Sequence, residues 1–563
     1  MKHWYEHAVI YQIYPKSFQD SNGDGIGDLN GIKKRIPYLQ KLGINAVWLN
    51  PIFVSPQVDN GYDVADYLAI DPQMGTMAEM TDLIAAFHQA GIHVIMDFVL
   101  NHTSDQNYWF QQAIKHPDSS YRDYYIFAGK NNERPNNWGS FFGGSVWELD
   151  PAQTGESYFH LFDKHMPDLN WRNPQVREEM LKIAEYWLDK GIDGLRLDAF
   201  IHIAKADLNQ DFPLDSSEDD TVVAEPFFAN LPQVQEWLRP FCQQIKHDYP
   251  ETLLLGEAAS ANVNLAVDYT AKDRQLMDNV ITFRYFTDDE SQLDPNLPAQ
   301  YQPKPLDWLN FKQTQAVWQQ TLGNIAQPIL YWNNHDMPRV ATRIAKTPTQ
   351  ICSLAMLMYL ERGIPIIYYG EELGLKNYEF TDPATFADDS VNEFIKQAEQ
   401  AGKSEEEALA LVSQTHKMPA RCPMPWTDEK SGGFSTVKPW LTGKKLDHAS
   451  VSGEIADLNS TFNFYRRLIA LKKTSLFQDG NFNLYSTGQD SYVYQRKLKN
   501  EQAIVAVSLS SEKIKITLPE GNYEEKLVAG QYHLTGNELL LMPYSGVVLS
   551  NNGGKNAISS FKA

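Results

Sequence analysis

A chain of 563 residues with 43% hydrophobic and 21% charged side chains can fill a large core and more than one domain. Its net charge of −22 repels nucleic-acid phosphates and anionic membrane surfaces, which argues against both as partners and favours a small neutral or cationic one. Cys242, Cys352 and Cys422 are odd in number and widely spaced, so neither a disulfide framework nor a thiolate zinc site is expected.

The chain starts Met1-Lys2-His3-Trp4-Tyr5-Glu6-His7, without the basic and apolar segments of a secretory leader, and no long apolar run follows. A soluble, cytoplasmic protein is therefore expected. Residues 9–18 read as a first strand. A helix-like stretch that ends at Gly-Ile and passes into a strand then recurs: Gly43-Ile44 before Ala46-Val47-Trp48-Leu49, Gly91-Ile92 before Val94-Ile95-Met96-Asp97, Gly191-Ile192 before Gly194 to Asp198, and Gly363-Ile364 before Ile366-Ile367-Tyr368. Each glycine is expected to be a left-handed helix terminus. Further strands are read at 253–256 and 329–332.

This alternation predicts an α/β protein, a (β/α)8 TIM barrel. Its first part spans 1–104. Residues 105–171 break the pattern with Asn-, Gly- and aromatic-rich sequence and read as a small inserted domain after the third strand. The barrel resumes over 172–475 with an insertion near 380–450, in which 392–414 looks helical. From 476 to 563, short alternating stretches such as 492–496, 503–507 and 514–518 predict a C-terminal antiparallel β-sandwich domain.

Active sites of such barrels lie at the C-terminal ends of the strands. Polar residues stand there repeatedly: Asp97 with Asn101 and His102, Arg196 with Asp198, Glu257, and Asn334 with His335 and Asp336. Several carboxylates without metal-ligand spacing suit glycoside hydrolysis, in which one carboxylate attacks the anomeric carbon and a second protonates the leaving oxygen. Arg196 shares a strand face with Asp198 and is expected to keep it ionised. Glu257 has no basic neighbour along the chain, the setting a general acid needs. The aromatic share of 12% fits stacking on sugar rings or simply a large core.

In order, Asp97-Phe98-Val99-Leu100-Asn101-His102, Gly194-Leu195-Arg196-Leu197-Asp198, Gly256-Glu257-Ala258 and Asn333-Asn334-His335-Asp336 resemble the ordered motifs of the α-amylase superfamily of glycoside hydrolases. The resemblance covers almost the whole chain and is closest to the oligo-1,6-glucosidase and α-glucosidase branch. Met166-Pro167-Asp168-Leu169-Asn170 resembles a fifth motif, with Met166 where the branch's oligo-1,6-glucosidases usually carry Gln.

The resemblance implies Asp198 as nucleophile, Glu257 as acid/base and Asp336 as transition-state stabiliser. It places His102, His335 and Arg196 in one glucose subsite, with Asp59 and Tyr62 holding and stacking the non-reducing sugar and Arg421 closing the pocket. Phe142 and Phe162 are pocket-wall or core aromatics. Such a pocket implies an exo-acting α-glucosidase on short neutral oligosaccharides. Ala199, directly after the nucleophile, occupies a position where Val accompanies α-1,6 preference, so α-1,4 bonds are favoured. Transglucosylation, as in a transglucosidase or sucrose isomerase, uses the same covalent intermediate and stays open. The intact acids argue against a catalytically inactive binding module. No dedicated basic cluster near the motifs marks a phosphorylated disaccharide. The sequence carries no signal for oligomeric state.

Asp20-Ser21-Asn22-Gly23-Asp24-Gly25-Ile26-Gly27-Asp28 alternates oxygen donors with small residues like the first half of an EF-hand loop, and reads as a cation site or as a solvated acidic turn. Similar loops in related α-glucosidases imply a structural Ca²⁺ on Asp20, Asn22, Asp24, Asp28 and the Ile26 carbonyl. No organic cofactor is expected.

Overall fold

The computed structural model describes residues 2–213, 221–447 and 449–551; residues 552–563 of the expected C-terminal domain lie outside the described residues. Eight strands make one sheet: β1 (Ile10–Ile13), β2 (Ala46–Leu49), β3 (His93–Val99), β4 (Gly194–Asp198), β5 (Leu253–Glu257), β6 (Asn279–Ile281), β7 (Ile329–Leu330) and β8 (Ile364–Tyr368). Their order is β6-β5-β4-β3-β2-β1-β8-β7. Every strand lies beside a neighbour in sequence, as in a (β/α)8 barrel. By contacts the chain divides into residues 48–284 and residues 1–47 with 285–563.

In the 48–284 unit, β3, β4, β5 and β6 are parallel and almost wholly buried, which explains their continuous apolar runs. Register decides what meets at their C-terminal ends. Asp97 lies opposite Arg196, Val99 opposite Asp198, and Leu255 opposite Arg196, so Glu257 falls level with Asp198. Helix Met77–Gln89 opens with a Thr76/Glu79 capping box and is followed by Gly91 at φ +72°. The strand β6 escaped the sequence reading because three residues are too few to show a period.

The inserted segment builds a three-stranded antiparallel sheet from Phe127–Ala128, Trp147–Leu149 and Ser157–Phe159, the last in the middle. Its core of Trp138, Trp147, Phe159 and Leu161 also takes in Ala224 and Phe228 from the chain beyond β4. Gly139 donates its amide to the Val222 carbonyl at 2.6 Å, and Trp138 Nε1 donates to the Gln210 carbonyl at 2.9 Å.

In the other unit, β1 pairs with β8 and β8 with β7, all parallel. The expected strand over 9–18 ends at Ile13, because Pro15 lacks an amide hydrogen and opens a short helix, Pro15–Phe18. Gly43 is the left-handed C-cap of helix Ile36–Leu42, as expected, whereas Gly363 at φ +145° is a turn residue and no helix cap. The helical stretch read at 392–414 is two helices, Asp389–Gln400 and Glu405–Thr415. They break at Gly402 (φ +87°), and Ser404 with Glu407 restarts the second. Beyond them, the C-terminal β region forms a five-stranded and a three-stranded sheet around Val493, Ile504, Leu539, Leu541 and Val547. Among the described residues no helix is long and apolar enough to cross a membrane, and Cys242, Cys352 and Cys422 are buried and free.

Candidate active site

The first cluster is organised by Arg196, 1% exposed, at the end of β4. Its Nη1 donates to Asp97 Oδ1 at 2.9 Å and forms an ion pair with Asp198 Oδ1, while Nη2 lies 2.8 Å from Glu257 Oε1. One guanidinium thus spans three carboxyl groups. Burial works against its positive charge, but the three acids outweigh burial and hold it cationic. Glu257, without a basic neighbour along the chain, acquires one in space; strand register supplies what local sequence could not.

Asp97 is fully buried and serves as an anchor. Its Oδ2 accepts from Trp48 Nε1 at 3.1 Å and from the Tyr62 hydroxyl at 2.9 Å, and Asn50 Nδ2 donates to that hydroxyl at 2.9 Å. Burial raises the Asp97 carboxyl above the usual carboxylate range in spite of Arg196. Trp48 and Asn50 were missed by sequence reading. Their signal was available, since Trp48-Leu49-Asn50 ends β2 at the face where functional groups gather.

Tyr62 is carried by a turn in which Asn60 (φ +51°) and Gly61 (φ +105°) are both left-handed and the Tyr62 amide bonds to the Asp59 carbonyl at 3.1 Å. Asn-Gly is the pair that tolerates this geometry. The buried Asp63 fastens the turn from within, accepting the Val58 and Asp59 amides at 2.9 and 3.0 Å. Asp59 is therefore positioned by backbone, and Asp63 is a further residue that motif reading passed over.

His102 is buried, 5.1 Å between centroids from Phe162, and burial lowers it to about 4, so it is neutral at ordinary pH. Behind it, Asn101 Nδ2 donates to Asp168 Oδ2 at 2.9 Å, and Lys205 Nζ pairs with the same oxygen at 2.6 Å. Lys205 carries no motif signal and is recognised only in three dimensions. Phe162 is part-buried against the inserted domain's core, while Phe142, 48% exposed, meets it edge-on at 5.8 Å. Of the two readings for these rings, pocket wall or core, Phe142 is too exposed for a core residue, while Phe162 packs both on the edge of the core and on His102.

Ala199 has φ +49° and ψ +20°, a left-handed conformation that costs an L-residue with a β-carbon, and its amide donates to Glu257 Oε2 at 3.3 Å. The residue after the proposed nucleophile is thereby strained so that its N–H points at the proposed acid/base.

The second cluster belongs to the other unit. Asp336 Oδ1 lies 3.2 Å from Arg421 Nη2 and 3.6 Å from Lys417 Nζ, and Oδ2 lies 3.1 Å from His335 Nε2. Gln12 Nε2 stands 2.8 Å from His335 Nδ1, Arg421 Nε donates to the His335 carbonyl at 2.8 Å, and the Arg421 guanidinium sits 5.4 Å from the Tyr14 ring centre. Asn333 ties the loop down: its Oδ1 accepts the Val340 amide at 2.7 Å and its Nδ2 donates to Glu371 at 3.1 Å. Gln12, Tyr14 and Lys417 are additions to the sequence-derived set.

In the Asp20 to Asp28 loop, Asp20 accepts the amides of Asn22, Gly23 and Gly25 at 3.0, 2.7 and 2.9 Å and the Ser435 hydroxyl at 2.6 Å. Asp24 accepts the Ile26 amide at 2.8 Å, and Asp28 caps helix Leu29–Lys34 through the Gly31 amide at 2.7 Å. Among the described residues no group of three or more His, Cys, Asp or Glu could hold a metal ion. The all-oxygen donor set has the chemistry for a hard cation, but its carboxylates are turned onto backbone amides.

Residues 12–480 match the family described as alpha amylase, catalytic domain. The chain is 36% identical over 527 residues to an oligo-1,6-glucosidase of Parageobacillus thermoglucosidasius, covering 92% of each chain. It is 37% identical over 523 residues to a trehalose-6-phosphate hydrolase of Escherichia coli (strain K12), covering 91% of this chain and 92% of that one. A solved structure described as a family GH13_31 enzyme superposes with a TM-score of 0.92 at 68% identity, covering 98% of this chain and 100% of that chain. The ordered acid motifs, the eight-stranded sheet and a family match over most of its length make this chain a member of the alpha-amylase family, a glycoside hydrolase.

Proposed function

We propose that the protein is a retaining, exo-acting α-glucosidase that releases glucose from the non-reducing ends of short α-glucooligosaccharides. The observation that carries the reading is Arg196 bridging Asp198 and Glu257. Two carboxyl groups sharing one guanidinium suit the separation of about 5–5.5 Å that a retaining pair needs.

In this reading the Asp198 carboxylate attacks the anomeric carbon while Glu257 gives its proton to the departing glycosidic oxygen. A covalent glucosyl ester forms and the leaving sugar departs neutral. Water, losing its proton to Glu257, then hydrolyses the ester, which frees Asp198 and restores the acid. Arg196 steadies both carboxyl groups through the charge changes, and the Ala199 N–H adds a donor to Glu257. Asp336 takes the stabiliser's role by its motif. His102, neutral at working pH, serves as a hydrogen-bonding group for a sugar hydroxyl, as do Asp59 and Tyr62 of the same unit; His335 and Arg421 take sugar-binding roles by the family resemblance of their motifs. Phe142 and Phe162 offer ring faces.

Ala199 leans the linkage preference toward α-1,4, because the wall beside the leaving sugar is only a methyl group deep; one added methyl shifts discrimination by about 1–3 kcal/mol. A Val there also bears β-branched strain at positive φ, so the Ala199→Val comparison on maltotriose and isomaltotriose needs a melting curve beside it. Transfer of glucose to a second sugar at high substrate concentration is the accompanying activity we expect.

A Ca²⁺ ion held by Asp20, Asn22, Asp24, Asp28 and the Ile26 carbonyl would be structural, exchanging backbone amides for metal at Asp20 and Asp28. A chelator should then lower the melting temperature; an unchanged melting temperature and no metal in the purified protein would leave an ordinary acidic turn. The deciding experiment for the function is a product profile on maltose, isomaltose, sucrose, trehalose, trehalose 6-phosphate and longer oligosaccharides, with the anomer of released glucose followed by NMR. Release of α-glucose from unphosphorylated α-1,4 substrates is expected. Initial β-glucose would overturn the retaining mechanism, and turnover confined to the phosphorylated sugar would overturn the substrate class.

A further inference from the structure

We infer that His416, clamped by Asp388, is a positioning residue through which the helical insertion sets Lys417 and Arg421 on Asp336; its kinetic consequence rests on the glucosidase reading above. His416 is the C-cap of helix Glu405–Thr415 and is 7% exposed. The Met418 amide donates to His416 Nδ1 at 3.1 Å. An amide nitrogen can only donate, so Nδ1 presents its lone pair and the ring proton resides on Nε2. That Nε2–H points to Asp388 Oδ2 at 3.2 Å.

Asp388 is held in turn. It N-caps helix Asp389–Gln400 through the Ser390 amide at 2.9 Å and accepts the Tyr301 hydroxyl at 3.1 Å. The two helices of the insertion therefore meet in one imidazole whose second nitrogen grips the start of the Met418–Arg421 turn. Lys417 precedes that turn and Arg421 ends it, and both cations reach the same Asp336 oxygen. Through this chain of contacts the two helices act on Asp336 by way of Lys417 and Arg421.

The groups around His416 are Asp388, Tyr301, Lys417 and Arg421, and the Phe386 ring packs edge-on at 5.3 Å. Burial, with the two cations adding to it, holds the imidazole below its usual range, so it is neutral where the enzyme is expected to work. A proton added at Nδ1 would face the Met418 N–H and break the grip. Acid should therefore release the turn.

The test uses the full chain, with kcat and KM for p-nitrophenyl α-glucoside measured across pH for wild type, His416→Asn, His416→Gln and Asp388→Asn. The Asn carbonyl can replace Nδ1 as acceptor for Met418, whereas the Gln amide reaches toward Asp388 and leaves Met418 unpaired. We expect His416→Gln to lose on the order of ten- to a hundredfold in kcat/KM, His416→Asn to recover most of it, and the acid limb of the profile to move to lower pH in His416→Asn, where protonation of Asp198 alone sets it. A fall in melting temperature with unchanged kcat/KM in every variant, or equal losses in Asn and Gln, would overturn the inference. Asp388→Asn keeps an acceptor for Nε2–H and the Met418 contact, and is expected to stay close to wild type in kcat/KM; if His416→Gln does not fold, the pH profile of His416→Asn and the tautomer below carry the test. ¹⁵N NMR of His416, identified as the signal absent from His416→Asn, needs no turnover: an Nε2–H tautomer at pH 7 is expected, and an Nδ1–H tautomer or a protonated ring sinks the clamp. Absence of turnover in wild type with the expected tautomer would refute the glucosidase reading and leave the clamp standing.

Discussion

The two acid clusters solve opposite charge problems. Around β4, one buried guanidinium serves three carboxyl groups, Asp97, Asp198 and Glu257. In the loop after β7, one carboxylate, Asp336, faces Arg421, Lys417 and His335. A site rich in acid and poor in cation can accommodate a proton that moves on and off a carboxyl group during a reaction. A carboxylate that faces two cations, here Arg421 and Lys417, is suited to carrying negative charge. Electrostatic composition alone thus separates a proton-handling region from a charge-holding one.

The largest effect expected from breaking this contrast falls on the first cluster. Asp198→Ala and Glu257→Gln should each lower turnover by several orders of magnitude with the circular dichroism spectrum unchanged, since the two act as one unit. Azide should partly rescue Asp198→Ala and give a glucosyl azide of inverted configuration. Activity within tenfold of wild type in either variant would reverse the assignment.

Next, Arg196→Met leaves Asp97 buried without its cation. Removing one partner of a buried pair costs about 3–5 kcal/mol, so the urea midpoint should fall steeply, well beyond the effect of Lys417→Met at its part-exposed pair. Equal stability losses in the two variants would contradict the contrast.

The regions should also differ in pH response. In the 48–284 unit, burial lowers His102 and His202 to about 4. The unfolded chain binds their protons more readily, so stability is complete above the unfolded value near 6.5 and is lost as pH falls toward 4, by about 3 kcal/mol per residue. In the other unit, burial raises Glu361 to about 7 and Glu371 to about 8. There the folded chain holds the protons, and stability is lost as pH rises from about 4.5 through 7 and 8. Hydrogen exchange at pH 5 and pH 9 should accelerate first in the His102 and Glu371 surroundings respectively, and the reverse order would refute the assignment of cause.

The smallest effect is local. Ala199→Gly should raise stability by up to about 1 kcal/mol by removing left-handed strain, at some expense in kcat because the amide facing Glu257 is less firmly held. A melting temperature that falls would show that the Ala199 methyl contributes more by packing than it costs in strain.

Sequence by itself determined most of the barrel strands and the candidate reacting groups at their ends. Asp97, Arg196, Asp198, Glu257 and Asp336 were legible because a barrel places its chemistry at strand termini and because apolar runs, glycine turns and ordered motifs are local signals. Tertiary structure decided the rest. That Glu257 shares a guanidinium with Asp198 follows from the register of β4 and β5, which pairs residues some sixty positions apart by hydrogen bonds that no short window contains. The end of β1 at Ile13 is the exception, since Pro15 sets it and is a local signal that the strand reading over 9–18 passed over. Lys205 on Asp168, Gln12 at His335 and His416 on Asp388 are polar contacts between distant segments. Their cause is burial: a polar group withdrawn from water must find a partner, and only the folded chain decides which one is within reach.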